Sequence, residues 1–125
     1  MPLKYSLGGA ALACVALLSL AACKDEENAL LETSAGKLAA IDSGTTSITE
    51  NQVRPYTALL TELEAKCDAT RNGISDTAVQ AKNIFQSRKG IEVSALSILQ
   101  MIDDAVPEGT KLNCDEVIAA IITLS

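Results

Sequence analysis

The chain has 125 residues, a formal net charge of −6, 48% apolar and only 2% aromatic residues, and neither His nor Trp. That length suits one small domain, and the acidic balance argues against nucleic-acid binding, because phosphates would be repelled. With no His, no closely spaced Cys pair and no glycine-rich phosphate loop, a zinc site, a thioredoxin-like motif and a nucleotide cradle are all poor expectations.

The first 22 residues are laid out like an export signal. Lys4 closes a short positive region, an apolar segment runs from Leu7 to Leu20, and no acidic residue occurs before Asp25. The segment is shorter than the roughly 20 residues that span a bilayer as a helix, and it passes directly into Lys24-Asp25-Glu26-Glu27. A removable signal fits better than a permanent span. Its last residues, Leu20-Ala21-Ala22-Cys23, resemble the lipobox of bacterial lipoproteins.

The resemblance implies cleavage between Ala22 and Cys23, with lipid on the Cys23 thiol as in palmitate-bearing lipoproteins. It also implies residence in the cell envelope, at the outer membrane rather than the inner, since Lys24 lacks the Asp associated with inner-membrane retention. Cys14 follows a small residue too, but cleavage there would strand Val15 to Leu20 on the product. An ordinary secretory signal and an uncleaved N-terminal anchor remain as alternatives, and both still place the domain outside the cytoplasm.

Removing 22 residues leaves 103 of the 125, with nine basic against sixteen acidic residues, a formal −7. Membrane contact is then expected from the lipid, each buried methylene adding about 0.8 kcal/mol. Two cysteines remain besides Cys23. Cys67 and Cys114, in an oxidising compartment, are expected to pair and close a loop of roughly 48 residues, for which the chain-entropy estimate is about 4 kcal/mol.

Residues 23–50 read as the lipidated Cys and a tether rich in Ala, Ser, Thr, Gly and charge. Leu30, Leu31, Leu38 and Ile41 have loosely helical spacing, and Asp25, Glu26 and Glu27 suit a helix N-terminus, so a helix over 26–41 stays open, with Gly36 counting against it. Asp42-Ser43-Gly44-Thr45-Thr46-Ser47 is a break and the expected boundary of the folded part, residues 51–125. Val53, Tyr56, Leu59, Leu60, Leu63 and Cys67 then define an amphipathic helix. Pro55 belongs in its first turn, a Glu62–Lys66 pair on its wet face, and Asn72-Gly73 at its end.

Ser75 is the expected cap of a second helix, with Ile74 and Val79 at staple spacing, Ala78, Val79, Ile84 and Phe85 inward, Lys82 wet, and Gly90 as the stop. Arg88 and Lys89 suit its C-terminus electrostatically; a phosphate-binding role is the sharper reading of the same pair. Ile91, Val93 and Ala95 alternate like a strand before Leu96, Leu99, Ile102 and Val106 take up helical spacing, and the expectation is helix over 92–105. Pro107-Glu108-Gly109 turns the chain. Asn113 and Glu116 form a capping pattern for a last helix over 114–124, although its β-branched run, Val117 to Ile122, also suits a strand. Packed as core, or as a partner-binding face, this run carries the densest apolar cluster of the mature chain.

The candidates for chemistry are thin. Glu62 with Glu64, and Asp103 with Asp104, are carboxylate pairs on helices expected to face water, and Ser94 and Ser97 have no His or nearby Lys to activate them. The expected architecture is therefore all-α, a bundle of three to four helices with one disulfide behind a tether. The expected function is a non-catalytic, lipid-anchored module that binds a partner protein or assists an envelope assembly, without cofactor, metal or small-molecule substrate. The alternative is an inhibitor, immunity or exclusion lipoprotein that neutralises an incoming toxic protein.

Overall fold

In a computed structural model, residues 29–125 are described. The signal, Cys14, and the Ala22–Cys23 cleavage and lipidation site lie outside them. The described chain is all-α, with no strand and one disulfide, Cys67–Cys114. Five α-helices, α1 Ser34–Ser43, α2 Glu50–Lys66, α3 Arg71–Ile84, α4 Ala95–Ala105 and α5 Cys114–Leu124, are joined by short loops, and α3 continues into a π-helical turn, Phe85–Lys89.

The folded core begins before residue 51. Within the stretch read as tether, Thr33 caps α1 by accepting the Gly36 N–H at 2.9 Å, and α1 inserts Leu38, fully buried, with Ala35 and Ala39 into the same core as the other helices. A continuous helix over 26–41 does not form: the chain turns at 32–33, and the Leu30 carbonyl lies over α1. A Cβ at Gly36 would stand 1.7 Å from that oxygen, so the glycine that weakens the helix by propensity is required by the close approach. Gly44, at φ 75°, closes α1, and the predicted break is a loop between two core helices.

Thr49 and Gln52 form a reciprocal capping box that starts α2 early enough to place Pro55 in its second turn, on an exposed surface where water can serve the carbonyl left without a partner. The other end of α2 also departs from expectation. Cys67 is extended (φ −109°) and pairs with Leu112 in an isolated parallel bridge, with Leu112 N–H donating to Lys66 O at 2.9 Å and Asp68 N–H to Leu112 O at 2.8 Å. The helix thus stops at the disulfide rather than at Asn72-Gly73. Thr70, accepting from Gly73 N–H at 3.1 Å, caps α3 in place of Ser75, which is buried inside the helix. Ile74, Ala78, Ala81 and Phe85 form its inner face, while Val79 and Ile84 are only half-buried.

Gly90, at φ 64°, ends the π turn as expected. α4 starts at Ala95 rather than residue 92, because Ser94 accepts the Ser97 N–H at 3.0 Å and leaves Ile91 and Val93 in the loop. Asn113 caps α5 by accepting from Asp115 and Glu116 N–H groups, and the β-branched run is helical. Ile118 and Ile122 are buried against α3 and α4, whereas Val117 and Ile121 are half-buried.

Cross-helix contacts set the directions of the elements. Lys66 meets Asp103, Glu64 meets Arg71, and Cys67 meets Cys114, so the end of α2, the start of α3, the end of α4 and the start of α5 share one end of the bundle. Asp42 meets Tyr56, Lys82 and Ala95 towards the opposite end, where Lys89 also reaches Ser125. Helices α2 and α4 therefore run towards the disulfide, and α1, α3 and α5 run away from it. Leu60, Leu63, Ile98, Leu99 and Ile102 fill the space between them with no exposed surface, each contributing about 1.5–3 kcal/mol by leaving water.

Candidate functional site

Asp42 is the polar centre of the bundle. Standing in the last turn of α1, its carboxylate accepts the Ala95 N–H at 2.8 Å on Oδ1 and the Leu96 N–H at 3.1 Å on Oδ2, so it caps α4 from a different helix. The Tyr56 hydroxyl donates to Oδ2 at 2.7 Å. Lys82 Nζ stands 4.0 Å from Oδ1 and donates to Val93 O at 3.0 Å. The Asp42 side chain is only 8% exposed, yet its charge faces the positive end of a helix dipole and three hydrogen-bond donors, which compensates its burial. Burial raises the Tyr56 hydroxyl pKa well above the usual 10, and the hydrogen bond to Asp42 and its negative charge push in the same direction.

At the other end, Lys66 is buried rather than wet. Its ammonium donates to Asp103 Oδ1 at 2.9 Å and to Asp103 O at 3.1 Å, so its partner lies on α4 and not at Glu62. The Asp103 hydrogen bond raises its pKa above the usual lysine value, desolvation opposes this, and the charges of Asp103, Glu62 and Glu108 reinforce it. Arg71 donates from Nε and Nη2 to Glu64 Oε1 at 3.0 and 2.7 Å. Gln100 donates to Asp104 at 3.1 Å.

The predicted residues separate accordingly. Cys67 and Cys114 are joined, with Cα atoms 5.4 Å apart. Glu64 and Asp103 are each engaged with a cation on another helix, so neither carboxylate pair is assembled as a free acid–base couple. Ser94 and Ser97 form a helix cap. Arg88 and Lys89 are exposed, Lys89 donating to the Ser125 main-chain oxygen at 3.2 Å. Among the described residues no group of three His, Cys, Asp or Glu side chains could hold a metal, and no helix is long and apolar enough to cross a membrane. A surface depression of about 300 Å³ between Leu30, Glu50, Val53, Arg54 and Thr57 is shallow and open.

Sequence reasoning missed the Asp42 centre. Asp42 stood in a loop-like run, Tyr56 on an apolar stripe and Lys82 on a wet face, and no local pattern connects Asp42 with an amide 53 positions further on. Ser94 was the only readable sign of where α4 begins.

Fold and polar network together define a small disulfide-linked helical bundle whose buried charges are paired with one another. The chain matches no protein-family model, and no curated protein or solved structure is similar to it.

Proposed function

We propose that the chain is a lipid-anchored envelope lipoprotein, held through Cys23 at the outer membrane, whose helical domain is a non-catalytic protein-binding or accessory module. The observation that carries this reading is Leu20-Ala21-Ala22-Cys23 at the end of an apolar segment and directly before charged sequence. Two features of the domain support it. The Cys67–Cys114 bond suits an exported protein, and the polar side chains at the Asp42 and Lys66 centres have their bonding capacity directed at each other rather than at an open cleft.

The test is metabolic labelling with a radioactive or clickable palmitate in cells producing the parent or Cys23→Ala chain. The parent is expected to carry label and the variant none, appearing either as uncut precursor or as released domain. Label persisting on Cys23→Ala would refute the assignment. Capture of partners from native membranes then distinguishes an accessory role, which returns an endogenous envelope complex, from an inhibitor role, which returns one foreign toxic protein.

A further inference from the structure

On α5 the apolar run from Val117 to Ile122 divides into two stripes. Cys114, Ile118 and Ile122, spaced four apart, are buried against the core. Val117, Ala120, Ile121 and Leu124 lie beside them within an arc of about 100° at 3.6 residues per turn, and so share one surface. Helices α3 and α4 pack against α5 and leave this second stripe partly open: Val117 and Ile121 are half-buried, Ala120 is exposed, and Leu124 is 86% exposed. Its register is fixed from the other flank, where Asp115 accepts from the Thr77 hydroxyl of α3.

Charge decides what fits on the stripe. A helix that lies on lipid carries Lys and Arg along its polar face, and α5, from Cys114 to Leu124, contains neither. The two ends of α5 are instead oppositely charged. Asp115 and Glu116 occupy its first turn, and Glu116 is exposed and makes no ion pair among the described residues. At the last turn the Lys89 ammonium donates to Ser125 O at 3.2 Å, with Arg88 exposed beside it in sequence. The apolar part reads alike in both directions, a large side chain at each end (Val117, Leu124) and the Ala120-Ile121 pair in the middle. A surface of this kind is complementary to itself turned end for end, as a two-fold interface requires.

We infer that the Val117–Leu124 stripe is a self-association surface, on which a second copy of the chain lays its own α5 antiparallel. Val117 of each copy then meets Leu124 of the other, and Ala120 lies next to the two-fold axis, opposite its own counterpart. The acidic first turn of each α5 comes level with the Lys89 end of the other. An 11-residue helix is about 16 Å long, and its one stripe offers less than the roughly 800 Å² per partner of a standard stable complex. The dimer is accordingly of the transient kind, and it does not require lipid on Cys23.

The experiment is thiol crosslinking in cells producing the full chain with Ala120→Cys, read by nonreducing electrophoresis and by the mass of the linked product. A product of twice the chain mass is expected. Ala119→Cys, on the exposed side of α5 away from the stripe, and the parent chain are expected to give little. In the Ala120→Cys background, Leu124→Gln changes a side chain that the fold barely uses, and should lower the linked fraction roughly tenfold with urea unfolding unchanged. Lys89→Glu makes two exposed pairs repulsive and should also lower it roughly tenfold, and adding Glu116→Lys should restore it.

Absence of the double-mass product, equal linkage through Ala119→Cys, or a product whose added mass is that of another protein overturns the self-association. Linkage that survives Leu124→Gln undiminished overturns the stripe as its surface. Failure of Glu116→Lys to restore linkage in the Lys89→Glu variant, with the helical circular dichroism intact, overturns the antiparallel arrangement.

Discussion

Replacing Asp42 by Ala should be among the most damaging single changes to a polar residue in this domain. The substitution leaves Ala95 and Leu96 N–H groups at the start of α4 without their acceptor, which by analogy with other lost helix caps costs about 1 kcal/mol. It also leaves the Tyr56 hydroxyl, on a residue only 7% exposed, without a partner, at about 1–3 kcal/mol. Lys82 adds little, because it is 4.0 Å away and about a quarter exposed. The expected loss is about 3 kcal/mol, a large share of the stability of a domain this size. Asp42→Asn keeps the volume but turns an amide N–H₂ towards one of the donors, and about 2 kcal/mol is expected. Urea unfolding of the disulfide-intact protein, followed by far-UV circular dichroism, measures both. A cycle of Asp42→Ala, Tyr56→Phe and the double variant should show coupling of about 1 kcal/mol. Asp42→Ala within about 0.5 kcal/mol of the parent, or strict additivity with Tyr56→Phe, would refute the reasoning.

Leu38→Ala should cost about 2–5 kcal/mol, because the side chain is wholly buried in α1, whereas Ile41→Ala, on a side chain 44% exposed, should cost well under about 1 kcal/mol; equal small effects in urea unfolding would show that α1 is not part of the core. Tyr56 is the only tyrosine after the signal, so its titration can be read alone. Its folded-state pKa is raised above the unfolded value, so this contribution to stability is fully present below pH 10 and is lost as pH rises beyond it. Tyrosinate absorbance should consequently lag behind that of free tyrosine and emerge together with unfolding, and a normal titration in folded protein would contradict the buried hydrogen bond. Cys67→Ala with Cys114→Ala opens a loop of roughly 48 residues and should lower the unfolding free energy by about 4 kcal/mol if the entropic account holds; a change below about 1 kcal/mol in urea unfolding would show that the bond contributes little.

The helical class, the disulfide and most apolar faces were legible in the sequence because each has a local signature. Val53, Leu60 and Leu63 recur at helical intervals, Asn113 and Gly90 are strong end signals, and Cys67 and Cys114 are the two cysteines left after Cys23. The misplaced boundaries have a common cause, namely contacts between residues remote in sequence. The Cys67–Leu112 bridge ends α2 ahead of the stronger-looking Asn72-Gly73, the Leu30 carbonyl makes Gly36 an asset, and Asp103 draws Lys66 out of water.

By itself the sequence determined the export-like beginning, the candidate anchor at Cys23 and the net acidity, since these depend on residue order and composition alone. Only the tertiary structure decided that α1 belongs to the core and that Asp42 ties four helices together. Those features arise where helices of alternating direction bring distant positions to one end, and a linear pattern carries no record of which ends meet.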